Sequence, residues 1–320
     1  MKKHSQVPTA ERDKALTRCG CHALRTYPNA ILSIVVALLV LASGCCRVPS
    51  QVNTPTPPNS DTALQLSSAT STPRGVVLVI HGLNQQPDTM TPLAAFLNAA
   101  GYHTYRLVLE GHAHHGQQPF SEHAWVSNVA DACSNASKRF PNLPIHILAY
   151  SLGGLVVTRT LDEDTPCSTV KSMIFIAPAL SLRAIVQSGY LLSLLPPISL
   201  SVPNVAPRYY RRFSHTPLFW YQNTFSLYSD TRRLRHPQRI GRVPTLVFAN
   251  HRDELVSLQG LQSWLESNRL ADAWKVKVLH PKPSDPFTPE HLMIDARSLG
   301  PTHWSDMTAT IRDFLRSAET

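Results

Sequence analysis

The run Ile145-His-Ile-Leu-Ala-Tyr-Ser-Leu-Gly-Gly154 restricts what this chain can fold into more than any other stretch. A short apolar segment stops at a serine, two glycines follow, and Leu155–Leu161 continues in a helical pattern. That order reads as a strand, a tight turn and a helix, and such a turn lifts the serine hydroxyl above the end of a sheet. Backbones approach closely there, so the positions two before and two after the serine must be small. Ala149 and Gly153 meet the requirement. Ser151 is therefore a candidate nucleophile, provided the chain also supplies a base, a carboxylate and donors for an oxyanion.

The rest of the chain supplies a sheet for that turn. Gly75-Val-Val-Leu-Val-Ile80 is a continuous, largely β-branched run, as expected of a strand buried on both faces of a parallel sheet. Tyr102–Leu109, Val170–Ile176, Pro244–Ala249 and Trp274–Leu279 are further candidate strands. Helical patterns separate them. Thr91 and Pro92 open one that Gly101 closes, with Leu93, Phe96, Leu97 and Ala100 on one face. Ser121–Phe140 carries Trp125, Val126 and Val129 on one side, and a last helix presents Met307, Ile311, Phe314 and Leu315. Six strands alternating with helices predict an α/β fold with a doubly wound, mostly parallel sheet, whose ligand sites lie at the carboxyl ends of the strands. Residues from about 180 to 240 break the rhythm and are too long for an ordinary connection. Leu182–Leu195 is apolar, Pro196 and Pro197 stop it, and aromatics cluster from Tyr209 to Tyr221. An inserted helical cap over the carboxyl end of the sheet is expected there; a packed excursion with no substrate role is the plainer alternative. Its arginines (Arg208, Arg211, Arg212, Arg232, Arg233, Arg235) read as a solvated face, or as a face suited to an anionic lipid surface.

The N-terminus has a different character. Basic residues are scattered through Met1–Arg25, and Ala30–Ala42 is uncharged and apolar, but shorter than the ~20 residues a helix needs to cross a bilayer. A basic stretch, an apolar stretch and then small residues predict a secretory signal. Leu41-Ala-Ser-Gly-Cys45 resembles a bacterial lipobox, which implies lipidation of Cys45 as the first residue of the mature protein. Cys45 fits better than Cys46, because the residue before it is Gly44. An uncleaved signal-anchor is the alternative. The expected organisation is a signal peptide over 1–44, a Ser/Thr/Pro-rich tether over 45–73 and a folded domain over 74–318. The expected location is the bacterial cell envelope, with the membrane as a partner through the lipid. Residues 1–44 hold six Lys/Arg and two Asp/Glu, which leaves +5 of the +9 total on the remainder, without a Lys/Arg run of the nucleic-acid kind. That argues against nucleic acid as a partner. Cys133 and Cys167 are then in an oxidising compartment, either paired or as two separate buried thiols.

A serine hydroxyl needs an imidazole to take its proton, and the imidazole needs a carboxylate to fix its tautomer and steady its charge. On a sheet of this kind the acid follows the serine along the chain and the histidine follows the acid. Asp253 lies in the loop after the strand Pro244–Ala249, with Glu254 as its rival. His280, His291 and His303 follow the last strand. His291 is the expected base, since its loop is long enough to fold back over the serine. His303, at the start of the terminal helix, is the main competitor. The N–H of Leu152, directly after the serine, and that of Leu83, after His81-Gly82, are the expected oxyanion donors. His81 reads as a brace for its loop. Glu110-Gly-His-Ala-His-His-Gly116 holds three histidines, but their spacing fits no helical ligand pair and no cysteine or carboxylate cluster completes it. No metal and no cofactor is expected.

Taken together, Val79-Ile-His-Gly-Leu83, Gly111-His112, Ala149-Tyr-Ser-Leu-Gly153, Arg252-Asp-Glu-Leu-Val256 and Glu290-His-Leu-Met-Ile294 resemble the α/β-hydrolase superfamily. The likeness is to the branch of monoacylglycerol lipases, lysophospholipases, capped carboxylesterases and serine aminopeptidases, over roughly residues 74–316. The resemblance implies the α/β-hydrolase fold, with Ser151 as nucleophile, Asp253 as orienter, His291 as base and Leu83 with Leu152 as the oxyanion hole. It implies a small-molecule or lipid ester substrate. Ala149 stands where the family usually has glycine, and the acidic residue usual near Leu107–Leu109 is absent. Two other readings stay open: an aminopeptidase-like amidase on the same fold, and a non-catalytic, lipid-binding envelope lipoprotein. Substrate identity and oligomeric state are left open.

Overall fold

The computed structural model describes residues 65–67, 72–113, 119–163, 166–189, 200–283 and 285–319. The expected signal segment, Cys45, most of the expected tether, His114, His115 and residues 190–199 lie outside the described residues. In chain order the strands are β1 (Gln65–Ser67), β2 (Gly75–Ile80), β3 (Tyr102–Leu107), β4 (Ile145–Tyr150), β5 (Val170–Ile176), β6 (Ser201–Pro203), β7 (His215–Pro217), β8 (Thr245–Asn250) and β9 (Trp274–Leu279). The main helices are α1 (Thr91–Ala99), α2 (Glu122–Arg139), α3 (Leu152–Asp162), α4 (Leu218–Thr231), α5 (Leu258–Ser267) and α6 (Pro301–Ser317).

Seven strands form one sheet in the order β1-β3-β2-β4-β5-β8-β9. The six from β3 to β9 run parallel, as the six apolar runs predict. β1 is an addition: it pairs antiparallel with β3, Gln65 opposite Arg106, from within the stretch read as tether. Three residues are too few to carry a periodic signal. The continuous apolar strands have the cause expected of them. Successive side chains point to opposite faces, and both faces are covered. Val76, Leu78 and Ile80 pack with Trp125 and Val129 of α2 and Val156 of α3. Val77 and Val79 pack with Leu93 and Leu97 of α1 and Met307 and Ile311 of α6. Each such fully buried aliphatic side chain contributes roughly 1.5–3 kcal/mol.

The insertion divides into two parts. α4 buries Leu218, Trp220, Phe225 and Leu227 and packs against α2 and α3 on the sheet's flank. It is the crossover helix that two neighbouring parallel strands, β5 and β8, require. The described part that reaches the sheet's carboxyl end is a strap over residues 204–213 between β6 and β7, whose backbone pairs with the loop after β2: Gln86 N–H donates to Tyr210 O at 2.8 Å and Arg212 N–H to Asn84 O at 2.8 Å. Cys133 of α2 and Cys167, just before β5, form a disulfide with Cα atoms 5.3 Å apart. Closing its 34-residue loop limits the unfolded chain, an effect worth roughly 4 kcal/mol in the chain-entropy account.

Candidate active site

Ser151 sits between β4 and α3 with φ 50° and ψ −115°, a left-handed backbone on a non-glycine residue. Such a conformation costs on the order of 1–3 kcal/mol and persists only where neighbours hold it. The neighbours here are Ile176 O, which accepts the Ser151 N–H at 3.0 Å, and the N–H groups of Gly154 and Ala179, which donate to Ser151 O at 3.0 and 3.1 Å. Gly153 is obligatory by close approach, since a Cβ there would lie 2.9 Å from both Ile80 O and His81 O. A Cβ on Gly82 would lie 3.2 Å from Ser151 Cβ. The loop after β2 thus passes directly against the serine.

The expected acid and base converge on it. His291 Nε2 is 2.8 Å from Ser151 Oγ, and His291 Nδ1 is 2.8 Å from Asp253 Oδ2. With Nδ1 protonated toward the carboxylate, the Nε2 lone pair accepts the serine hydroxyl. Both side chains are buried. The other carboxylate oxygen, Oδ1, accepts the N–H groups of Leu255 and Val256, each at 2.8 Å, so the orientation of Asp253 is set by its own loop. Arg183 donates to the carbonyls of Asp253 and His251 and braces that loop from outside. Burial works to lower the pKa of His291, but the charge and hydrogen bond of Asp253 and the charge of Glu254 outweigh it, and the imidazole titrates above its usual value. The rivals are elsewhere. His280 is exposed beside His251, and His303 lies within α6. Glu254 does not meet the imidazole; its Oε2 accepts the main-chain N–H of His291 at 3.0 Å.

Leu152 opens α3, so its N–H is among the first-turn amides that have no partner within the helix. Leu83 follows Gly82 in a loop held by two buried histidines. His81 donates from Nδ1 to Gly82 O at 2.8 Å and accepts the Leu109 N–H at Nε2 at 3.1 Å. His112 accepts the Asn84 N–H at Nε2 at 2.9 Å. Burial pushes His81 down to about 4 and His112 well below the usual imidazole value, so both remain neutral and able to accept. His112 is therefore already committed to the loop and to Trp220, whose ring centroid is 4.2 Å away. Among the described residues no group of three His, Cys, Asp or Glu could hold a metal ion.

Two positioning features have no clear signature in the sequence. Asn84, at φ 47°, is buried and joined to the strap through its side chain: Oδ1 accepts the Phe213 N–H at 2.8 Å and Nδ2 donates to Thr216 Oγ1 at 2.6 Å. Asparagine tolerates the left-handed region better than most residues, the one hint available. Tyr210 of the strap donates its hydroxyl to both oxygens of Asp295 at 3.0 Å, four residues beyond His291. The strap thus links the loop of Leu83 to the loop of His291.

Residues 71–219 match the family model described as "Serine aminopeptidase, S33". Among solved structures, the chain is similar to a soluble variant of monoglyceride lipase from Saccharomyces cerevisiae in complex with a substrate analog, with a TM-score of 0.64 and 12% identity over 85% of this chain and 98% of that one. It is similar to the monoacylglycerol lipase of Paleococcus ferrophilus, with a TM-score of 0.56 and 17% identity over 80% and 99% of the two chains. It is also similar to Est1E from Butyrivibrio proteoclasticus with bound ferulic acid, with a TM-score of 0.55 and 17% identity over 80% and 94%. No curated protein sequence matches the chain. At these identities the likeness is one of fold.

Proposed function

We propose that this chain, a protein of α/β-hydrolase fold, is a serine hydrolase that cleaves carboxylic esters through an acyl-enzyme. One observation carries the reading: the unbroken relay from Asp253 through His291 to Ser151 Oγ, with both links at 2.8 Å. His291 Nε2 takes the hydroxyl proton as Oγ bonds to the ester carbonyl carbon. Asp253 stabilises the imidazolium that forms. The carbonyl oxygen, now negative, receives the N–H groups of Leu83 and Leu152, where one such donor is typically worth ~10²–10³ in rate. The imidazolium then protonates the leaving alkoxide, and the acyl group remains on Ser151. Water attacks that ester with His291 again as base, releasing the acid and restoring the serine. Acylation and deacylation each begin with His291 neutral. Its raised pKa therefore sets the acid limb of kcat/KM above the usual imidazole range.

A hydrophobic or lipid-like ester is the substrate class we favour. The half-buried Leu83 and Phe213 beside the site support it, as do the monoglyceride lipases and the ferulic acid-binding Est1E among the similar folds. The family description over residues 71–219 favours a second reading, an amidase acting on aminoacyl groups. A panel of aminoacyl amides against short- and long-chain esters separates the two. The mechanism itself is tested by labelling with a fluorophosphonate. Wild type is expected to be labelled and to lose ester turnover, while Ser151→Ala takes up no label and has no turnover. Equal labelling of both proteins would remove Ser151 from the role.

The location belongs to the same proposal. The basic, apolar and small segments that end at Cys45 support a lipid anchor in a bacterial envelope. The Cys133–Cys167 disulfide suits the oxidising compartment this implies. Incorporation of labelled palmitate is expected in the native chain and absent from Cys45→Ser. Undiminished labelling of that variant would exclude Cys45 as the anchor.

A further inference from the structure

Glu254 has no part in the relay, although it is the neighbour of Asp253 and largely buried. Its Oε2 accepts the main-chain N–H of His291 at 3.0 Å, while Asp253 Oδ2 meets the same residue's ring at 2.8 Å. Two consecutive carboxylates on the loop after β8 thus hold one histidine at two points, backbone and ring. The segment they hold needs holding. Residues 280–295, between β9 and the next helix, contain no helix or strand among those described. Other contacts anchor its flanks: Asn250 Nδ2 donates to Glu290 Oε2 at 2.9 Å, Arg252 pairs with Glu290 at 2.8 Å, and the Tyr150 hydroxyl donates to His291 O at 3.2 Å. None of these reaches the His291 N–H.

We propose that Glu254 is a positioning residue that fixes the backbone of His291 and sets a second negative charge beside the imidazolium formed in turnover. The proposal rests on the reading of His291 as the base. The backbone contact alone would need only a neutral acceptor, so the charge is a separate contribution. Burial leaves the pKa of the Glu254 carboxyl raised, and the charge of His291 works against that rise, as for two groups that sense one another. Among the described residues the other ionisable groups around His291 are few. Asp253 shares the loop of Glu254, the Tyr150 hydroxyl comes from β4, Glu290 is occupied by Arg252 and Asn250, and Arg183 is turned to the carbonyl of Asp253. A base displaced by about 1 Å loses on the order of 10²-fold in rate, which sets the scale of the anchoring effect.

Two variants separate anchor from charge. Glu254→Gln keeps an oxygen that can accept the His291 N–H and removes the charge; Glu254→Ala removes both. The readouts are kcat and KM on a p-nitrophenyl ester across pH, and the titration of the His291 ring followed by NMR. For Glu254→Gln the ring is expected to titrate at lower pH than in wild type, and the acid limb of kcat/KM moves to lower pH with it. For Glu254→Ala kcat is expected to fall about 10–10²-fold with KM little changed, and Glu254→Gln recovers a large part of that loss. An unmoved ring titration in Glu254→Gln overturns the charge role, and full kcat in Glu254→Ala overturns the anchor; either one defeats the proposal. The NMR arm needs no turnover, so it remains decisive if the protein hydrolyses no ester, and the two failures stay distinct.

Discussion

Replacing Asp253 by asparagine is expected to lower kcat about 10⁴-fold, or roughly 5.5 kcal/mol of barrier, without unfolding the protein. The reason lies in the unequal surroundings of the two carboxylate oxygens. Oδ1 accepts the N–H groups of Leu255 and Val256, and only an oxygen can do so. An asparagine must therefore keep its carbonyl there and turn its NH₂ group toward His291. An NH₂ facing Nδ1 demands a lone pair on that nitrogen, so the ring proton moves to Nε2, against the serine hydroxyl. The base then lacks the lone pair that Ser151 requires, and the imidazolium loses its counter-charge. Because the loop contacts persist, the thermal midpoint should change little while turnover collapses, and that combination is what a melt and a steady-state assay together check. A loss of less than tenfold would mean that another carboxylate, with Glu254 the nearest by sequence, serves the ring.

Much of this arrangement was legible in the sequence, and the reasons are specific. β2 and β4 match the apolar runs at both ends, because strands covered on both faces leave no alternation to blur their limits. The turn at Ser151 is not decisive by itself, since short glycine-containing stretches are common, and it gains its weight from the acid and the histidine that follow in order. Asp253 and His291 followed from chain order and from their loops at the carboxyl ends of strands. The choice of Asp253 over Glu254 was harder. Both carboxylates point at His291, one at its ring and one at its backbone, and only the turn built on the Leu255 and Val256 amides decides which does which. In the sequence the aromatic residues of α4 group it with the cap, since no single apolar face marks it as a flank helix. The Tyr210–Asp295 bond joins residues 85 apart, and nothing local encodes such a contact. Nor does spacing fix a disulfide. Cys133 and Cys167 pair because α2 and the approach to β5 bring their Cα atoms to 5.3 Å.

Acidification from about pH 7 to about pH 4 is expected to remove roughly 6 kcal/mol of folding stability, a large share of the about 5–15 kcal/mol that holds an ordinary domain folded. Burial holds His81 and His146 at about 4 in the folded protein, against about 6.5 for an unfolded histidine. The gap is worth roughly 3 kcal/mol for each. The sign follows from which state binds the proton first. As pH falls through about 6.5 the unfolded chain is protonated and the folded one is not. The contribution of each group is therefore complete above about 6.5, drains away down to about 4, and is flat below. His112, lowered further by burial, acts in the same direction. His291 has the opposite sign. Its raised pKa favours the folded state in acid and loses that effect as pH rises, so it offsets only the start of the decline. The local chemistry explains the penalty. Protonating Nε2 of His81 sets an N–H against the Leu109 N–H it now accepts. His146, between β2 and β5 in the sheet, meets Ser172 Oγ with Nδ1 at 2.8 Å, and its Nε2 is buried without a partner among the described residues. Urea denaturation at pH 7, 5.5 and 4 measures the decline. His146→Leu removes one of the two groups and should flatten the curve between pH 6.5 and 4 by about 3 kcal/mol, whatever it does to stability at pH 7. A pH dependence identical in wild type and His146→Leu would show that His146 is not held neutral by the fold.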